Sequence, residues 1–160
     1  MVSLKNKSKG FTIVELLIVI VVIGILATLV LVTFTGIQQK ARDSKRKTDL
    51  GAVQAALETF YSSNNTYPTL ADLQSSSWLS TNLKGFDAAA LQDPKGSTGS
   101  TVTGTATATQ YGYVVTGADG TLASPTTCHD TSGAADPCTN YKISSILEGD
   151  GSTFSKQSNN

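Results

Sequence analysis

The sequence has very few of the residues from which most active sites are built. It contains one histidine, His129, and two cysteines, and it has neither a G-x-S-x-G motif nor a glycine-rich phosphate loop. A nucleophile needs a base beside it, and no such constellation is visible. We therefore expect that the chain is not an enzyme, and we expect no cofactor and no bound metal.

The sequence also lacks an excess of charge of either sign. Twelve basic and twelve acidic side chains give a formal net charge of zero. Lys5, Lys7 and Lys9 stand at the N-terminus, and without them nine basic side chains face twelve acidic ones. A general polyanion-binding protein would be basic, so direct binding to nucleic acid is not expected.

Hydrophobic residues are scarce outside one run. They make up 39% of the chain, but much of this share lies between Phe11 and Phe34, where Glu15 is the single formal charge. At about 1.5 Å per residue, a helix of this length spans the hydrocarbon core of a bilayer, which is about 30 Å thick. We interpret the run as a membrane segment, followed by one domain of about 125 residues with a small core.

Glu15 is unusual because it lies inside the apolar run. An unpaired carboxylate there costs about 2.5 to 3.5 kcal/mol, so it needs a partner. A cut between Gly10 and Phe11 would supply one, since the new α-amino group of Phe11 is an ammonium at neutral pH. A cleavable secretory signal has a shorter apolar region with its cut site after it, and a plain anchor leaves the carboxylate unexplained.

The segment K-N-K-S-K-G-F-T-I-V-E-L-L, residues 5–17, resembles the class III leader and processing site of type IV pilins and of type II secretion pseudopilins. The resemblance implies that residues 1–10 are a leader, which a membrane aspartyl peptidase removes after Gly10. It also implies that Phe11 becomes N-methylated. Glu15 would then dock subunits into a filament, together with Phe11.

The helical pattern continues beyond the membrane segment. Leu50, Val53, Leu57, Phe60 and Tyr61 recur at spacings of three and four, so residues 37–62 are predicted to form the amphipathic half of one helix that begins at Phe11. Residues 11–36 form its membrane or filament-core half. Many type IV pilins have a proline eight residues after the glycine that corresponds to Gly24. Val32 stands at that position here, so unwinding of the helix near Gly24 stays open.

A run of charges follows the membrane segment. Such runs are usually solvated or lie near lipid headgroups, and contact between neighbouring subunits is the alternative. The charged residues are Arg42, Asp43, Lys45, Arg46, Lys47 and Asp49.

Residues 63–160 are predicted to form a loop-rich head. Pro68 ends the helix, and the segment A-L-E-T-F-Y-S-S-N-N-T-Y-P, residues 56–68, is again similar to pilins and pseudopilins. Short helical turns are expected at 70–73 and 78–83, and the D-P-K-G segment at 93–96 predicts a turn. Residues 96–109 are nearly all Ser, Thr, Gly and Ala, which favours a flexible loop or an edge hairpin rather than core.

Aromatic and β-branched residues predict strands at 110–116 and 140–147. A turn signal at 118–121 predicts the start of a third strand, whereas residues 149–160 are expected to be a loose tail. Residues 141–148, Y-K-I-S-S-I-L-E, are similar to the last strand of pseudopilin heads. The predicted fold class is therefore α+β, a type IV pilin fold with a long N-terminal helix packed on a small antiparallel sheet.

The two cysteines, Cys128 and Cys138, would face an oxidising exterior if the basic leader stays in the cytoplasm. A disulfide between them is the expected state. His129 is a poor third ligand for zinc. The loop from Asp130 to Asp136 is rich in oxygen donors, and major pseudopilins can carry calcium in this part of the chain. A plain surface loop is favoured, since the spacing does not match an EF-hand.

The resemblance implies a structural subunit of a type IV pilus-like filament for adhesion, twitching motility or DNA uptake. Its implied partners are further copies of itself in a helical homopolymer, a prepilin peptidase, an assembly ATPase and a membrane platform protein. The chain would cross the membrane once before assembly and then lie in an extracellular pilus. One alternative is a pseudopilin of a secretion or competence system, and another is a membrane-anchored binding protein that does not polymerise.

Overall fold

The computed structural model describes residues 10–97, 99–117, 128 and 137–159, with only the backbone described at Val32. The chain divides into two compact units, residues 1–38 and 39–160. Helix α1 (Ile13–Asn64) contributes to both units, and every other helix and strand belongs to the second. We describe each unit by itself.

In the first unit, α1 exposes its apolar side chains, among them Leu16, Ile25 and Phe34. Within the described part of the chain, α1 is the one helix that is long and apolar enough to cross a membrane. The Thr28 and Thr33 hydroxyls donate hydrogen bonds to backbone carbonyls of their own helix, at 2.8 and 2.9 Å. Both hydroxyls therefore keep a hydrogen-bond acceptor in an apolar environment.

The second unit contains a three-stranded antiparallel sheet in the order β1-β2-β3. The strands are β1 (Gly112–Thr116), β2 (Asn140–Ile146) and β3 (Thr153–Gln157). In the register, Tyr113 pairs with Ile143, and Ser144 lies between Gly112 and Ser155. The predicted strands at 110–116 and 140–147 are confirmed, and so is the α+β architecture.

The inward face of the sheet and the later part of α1 share one core. Leu50, Val53, Leu57 and Phe60 are buried, as their spacing in the sequence predicts, and they cluster with Tyr113, Tyr141 and Ile143 from the strands. Burying such apolar side chains is the main favourable contribution to folding.

Short helices connect α1 to the sheet. They are α2 (Leu70–Gln74), α3 (Ser76–Asn82) and a 3₁₀ turn (Ala88–Leu91). Thr69 and Asp72 form a capping box at the start of α2, and the Ser75 hydroxyl accepts a hydrogen bond from the Trp78 backbone at the start of α3. Both predicted helical turns are confirmed, whereas the 3₁₀ turn was not predicted.

The prediction of a loose C-terminal tail is wrong, because residues 153–157 form β3. The strand pairs with β2 along its length, and Phe154 packs against the core. The Gln54 side chain of α1 donates a hydrogen bond of 2.9 Å to the backbone oxygen of Gln157. Phe154 is the only large apolar residue in β3, so no alternating apolar pattern marks the strand in the sequence.

The prediction that residues 96–109 form a flexible loop or an edge hairpin rather than core is wrong at Val102. Val102 is fully buried, and Thr103 forms an isolated parallel bridge with Gly112. The Thr103 N–H donates to Tyr111 O at 2.9 Å, and the Tyr113 N–H donates to Thr103 O at 2.7 Å. The segment approaches so closely that a Cβ on Gly112 would lie 2.8 Å from the carbonyl carbon of Thr105. The hairpin turn predicted at 118–121 lies outside the described residues.

Candidate functional site

The predicted processing site lies just before α1. Gly10 and Phe11 precede the first helical residue, Ile13, and 77% of Phe11 is exposed. A Cβ placed on Gly10 would meet no atom within 4 Å. Among the described residues, nothing therefore blocks access to the peptide bond between Gly10 and Phe11.

Glu15 is paired within its own chain, in the first turn of α1. The Thr12 N–H and hydroxyl both donate to Glu15 Oε2, at 2.8 and 2.6 Å, and the Glu15 N–H donates to Thr12 Oγ1 at 3.2 Å. This is a capping box, which satisfies backbone donors at the start of a helix. Thr12 was not predicted as a partner of Glu15 within the chain, and the pairing of Glu15 with a Phe11 ammonium stays a prediction. The T-x-x-E spacing was the signal that could have identified Thr12.

A second constellation, centred on Arg46, was not predicted. The Arg46 side chain is fully buried, and its guanidinium forms a two-pronged pair with Asp93, through Nε at 2.7 Å and Nη2 at 2.9 Å. Its Nη1 lies 2.8 Å from Asp43 Oδ1 and 2.9 Å from Glu148 Oε1. We call these four residues, together with Arg42, the Arg46 cluster. The hydrogen bonds to Asp93 are the main reason that the pKa of Arg46 is raised above its ordinary value.

Glu148 lies in the turn after β2 and connects the sheet to α1. Its two carboxylate oxygens accept hydrogen bonds from Arg42 Nε and Nη2, at 2.7 and 2.8 Å. These bonds, with those from Arg46, lower the pKa of Glu148 to about 2. The backbone N–H groups of Glu148 and Gly149 donate to Asp43 at 2.9 and 3.0 Å. The turn after β2 is thus bound to α1 by side chains and backbone together.

The prediction of a solvated charge run is therefore wrong for its central residues. Arg46 and Asp49 are buried, and Asp49 accepts hydrogen bonds from Lys45 Nζ at 2.7 Å and from the Tyr111 hydroxyl at 3.0 Å. Burial and the neighbouring Asp49 carboxylate raise the pKa of Tyr111. Lys45 and Lys47 are exposed, as a solvated face requires.

Two tyrosines form hydrogen bonds with Glu58 of α1, and one of them, Tyr141, lies in β2. Glu58 accepts hydrogen bonds from the hydroxyls of Tyr67 at 2.9 Å and Tyr141 at 3.1 Å. The rings of Tyr61 and Tyr67 stack with their centroids 4.4 Å apart, and Tyr67 meets Tyr141 edge-on at 4.7 Å. Such ring pairs add stability beyond the apolar area that they bury.

The structure joins Cys128 and Cys138 by a disulfide, and both residues are buried. The Cys138 N–H donates to Thr66 Oγ1 at 3.0 Å, and Cys138 O accepts from the Tyr67 N–H at 2.8 Å. The disulfide therefore lies against the segment that leaves α1. His129 and the loop from Asp130 to Asp136, where calcium was considered, lie outside the described residues.

Comparison with known proteins gives the N-terminal motif a name. Residues 5–31 match the family model described as the prokaryotic N-terminal methylation motif. The N-terminal region of the chain is therefore similar to this methylation motif. The resemblance drawn from residues 5–17 is thereby confirmed for this region.

Curated relatives carry both of the expected names. The chain is 42% identical over 65 residues to the "Type II secretion system core protein G" of Aeromonas hydrophila, which covers 41% of this chain and 46% of that protein. It is 41% identical over 64 residues to the protein of the same name from Escherichia coli K12, covering 40% and 44%. It is 36% identical over 66 residues to the "Type IV major pilin protein PilA" of Myxococcus xanthus, covering 41% and 30%. These alignments span less than half the length of each relative, and no solved structure matches the chain.

Proposed function

We propose that this chain is a structural subunit of a type IV pilus-like filament, used for adhesion, twitching motility or DNA uptake. One observation carries the proposal: the methylation motif at residues 5–31 extends into the helix α1, whose apolar side chains are exposed. Outside lipid, such side chains need a protein partner, and further copies of the same helix can provide it.

The first step is processing of the N-terminus. A prepilin peptidase cuts between Gly10 and Phe11, and the new amino group of Phe11 is methylated. The chain is the substrate of this chemistry and performs none itself. The exposed bond before α1 suits this role, because a peptidase can reach it without unfolding the helix.

The second step is docking. The Phe11 ammonium of an incoming subunit pairs with the Glu15 carboxylate of a neighbour. Thr12 uses Oε2 of that carboxylate, and among the described residues no hydrogen bond is recorded to Oε1, so the second oxygen can accept the ammonium. The pair satisfies two charges in an apolar filament core, where an unpaired charge is strongly unfavourable. A contact between two different surfaces can repeat from copy to copy, and where its rotation does not close a ring it builds an open helical filament.

The remaining partners and the location follow from the same proposal. A cytoplasmic ATPase and a membrane platform protein drive assembly. The chain crosses the membrane once before assembly, and its head lies on the outer side, in an oxidising environment that suits the disulfide. In the assembled state it is part of an extracellular pilus.

The test is the composition of surface fibres. Filaments are sheared from cells that express the gene, purified and analysed by mass spectrometry. We expect this chain to be their main protein and to begin with N-methylated Phe11. A chain that begins at Met1 and stays single in the membrane would contradict the proposal and favour an anchored binding protein.

A pseudopilin of a type II secretion or competence system is the second candidate. It is favoured by the two relatives described above as type II secretion system core protein G, which are 42% and 41% identical to the chain, whereas the pilin relative is 36% identical. Immunogold labelling of intact cells separates the two functions. Labelled fibres on the surface indicate a pilus, whereas cells without fibres, in which deletion of the gene stops protein secretion, indicate a pseudopilus.

A further inference from the structure

A groove of about 720 Å³ lies beside the later part of α1, within the second unit. Small side chains of α1 form one wall, namely Ala52, Ala55, Ala56, Thr59 and Ser63. The opposite wall is the turn after α3, up to Asp87, and the buried side chains of Phe60 and Leu83 also line the groove. Small residues on a helix allow another helix to approach closely.

Four of the five uncharged polar side chains that line this groove are already hydrogen-bonded. The hydroxyls of Thr59 and Thr81 donate to carbonyls of their own helices, at 2.8 and 2.9 Å. The Asn64 and Asn82 amides do the same, at 2.9 and 3.0 Å. Burying an unpaired polar group is unfavourable, but these groups keep their partners when water leaves. An apolar surface can therefore cover the groove with little loss of hydrogen bonding.

The groove and the apolar part of α1 match in charge. The wall on α1 has no charged side chain, and the charged residues in the lining, Lys84 and Asp87, both lie in the turn. Residues 16–37 of α1 likewise carry no charge, and the large apolar side chains that the structure describes there are exposed. Thr28 and Thr33 in that segment also bond to their own helix, so these two hydroxyls need no partner from the groove.

We propose that this groove receives residues 16–37 of α1 from a second copy of the chain. The inference rests on the proposed function, which it deepens by naming the surface of the head that meets the neighbouring helix. The groove and the apolar segment are different surfaces of the chain. A subunit whose own helix occupies the groove of a neighbour therefore still has an empty groove for the next copy. Such a heterologous contact continues from one copy to the next.

Charge variants test the groove in the full chain, in cells that assemble the filament. Ala55→Glu and Ala55→Lys each put a charge in the wall, and Ala71→Glu places the same charge on an exposed alanine of α2 outside the groove. We expect either substitution at Ala55 to lower the yield of sheared filaments about tenfold or more, because it buries an unpaired charge. Ala71→Glu should assemble normally, and all three variants should keep the wild-type melting temperature and N-terminal processing.

The two signs of charge distinguish the occupants. Loss with Ala55→Glu but normal assembly with Ala55→Lys would indicate an acidic partner and overturn the inference. Normal filaments from both Ala55 variants would also overturn it, while leaving the filament function intact. If the wild-type chain forms no filaments, the proposed function itself fails.

Crosslinking identifies the occupant directly. A benzophenone amino acid replaces Ala55 in filaments that mix light and ¹⁵N-labelled copies, with Ala71 as the control position. We expect a crosslink between copies to the tryptic peptide that ends at Lys40 and contains residues 16–37. A crosslink to the head of another copy, to a different protein, or to nothing in intact filaments would overturn the inference.

Discussion

At the scale of single residues, Arg46 lies in the interior because three carboxylates surround it. Asp43 comes from the same helix, Asp93 from the turn before the sheet, and Glu148 from the turn after β2. A buried arginine without such partners would be strongly unfavourable, and a buried carboxylate without the arginine would be equally so. The cluster therefore makes three distant segments depend on one side chain.

Replacing this side chain tests that dependence. Arg46→Met keeps a long apolar chain but leaves Asp93 buried without its main partner. We expect a loss of about 3 to 5 kcal/mol in the free energy of unfolding, measured by urea denaturation of the detergent-solubilised chain. Lys40→Met is the matched control, because Lys40 is exposed and no ion pair is recorded for it among the described residues. The control should change stability by less than about 0.5 kcal/mol, and equal losses in the two variants would contradict the role of the cluster.

Thr12 allows the two roles of Glu15 to be separated. Glu15→Ala removes both the cap of α1 and the charge for docking, whereas Thr12→Val removes the hydroxyl but leaves the carboxylate. We expect Glu15→Ala to be processed normally but to give few filaments. Thr12→Val should give substantially more filaments than Glu15→Ala, because a neighbouring Phe11 ammonium still finds its partner. Equal filament yields, measured in sheared fractions, would mean that the capping box and not docking explains Glu15.

These residues also show what a sequence can reveal. The pair of Thr12 and Glu15 is local and has a recognised spacing. The sequence was therefore sufficient to predict this capping box, although we did not predict it. The partners of Arg46 outside α1 could not be predicted from the sequence, because Asp93 lies 47 residues away and a charged helix looks solvated until its neighbours in the fold are known.

At the scale of elements, strong periodicity explains the correct predictions. α1, β1 and β2 carry apolar patterns over many residues, and the structure buries the predicted faces. β3 and the segment around Val102 have one large apolar residue each, so composition indicated a loop. What holds them is pairing with β2 and β1 through backbone hydrogen bonds, and composition does not encode such pairing.

The turn after β2 should make the stability of the head depend on pH. The pKa of Glu148 is about 2 in the folded chain, below the reference value of 4.5. Between these two pH values the unfolded chain binds about one proton more than the folded chain. The free energy of unfolding therefore increases with pH in this window, and it decreases as the pH falls through the window. We expect the free energy of unfolding to decrease from pH 5 towards pH 2.

The control for this pH dependence is Glu148→Gln. The glutamine side chain of this variant cannot bind the proton. The free energy of unfolding of the variant should therefore depend less on pH over the same range, and the difference from the wild type should correspond to about one proton. It should also be less stable than the wild type at pH 7, because the ion pairs with Arg42 and Arg46 are lost. Urea denaturation across the pH range measures both effects, and parallel curves for the two proteins would contradict the assignment to Glu148.

At the scale of the whole molecule, the two units are built for different surroundings. The first unit exposes apolar side chains and bonds its hydroxyls internally, as lipid or a helical filament core requires. The second unit has a small core, and it adds the Arg46 cluster, the tyrosines around Glu58 and a disulfide. These connections bind the sheet to α1, so the head can stay folded on the later part of the helix while the earlier part exchanges lipid for protein.

Processing of the whole chain is tested by Gly10→Val. A Cβ at Gly10 meets no atom within 4 Å, so the variant should fold and insert as the wild type does, and any effect must come from recognition by the peptidase. We expect it to accumulate as a precursor that retains residues 1–10, seen by mass spectrometry of the membrane fraction. Gly36→Ala is the control, since Gly36 is equally open but lies outside the methylation motif, and it should give the mature mass. A mature Gly10→Val chain that begins at Phe11 would refute this cut site, because the peptidase would then not depend on the glycine.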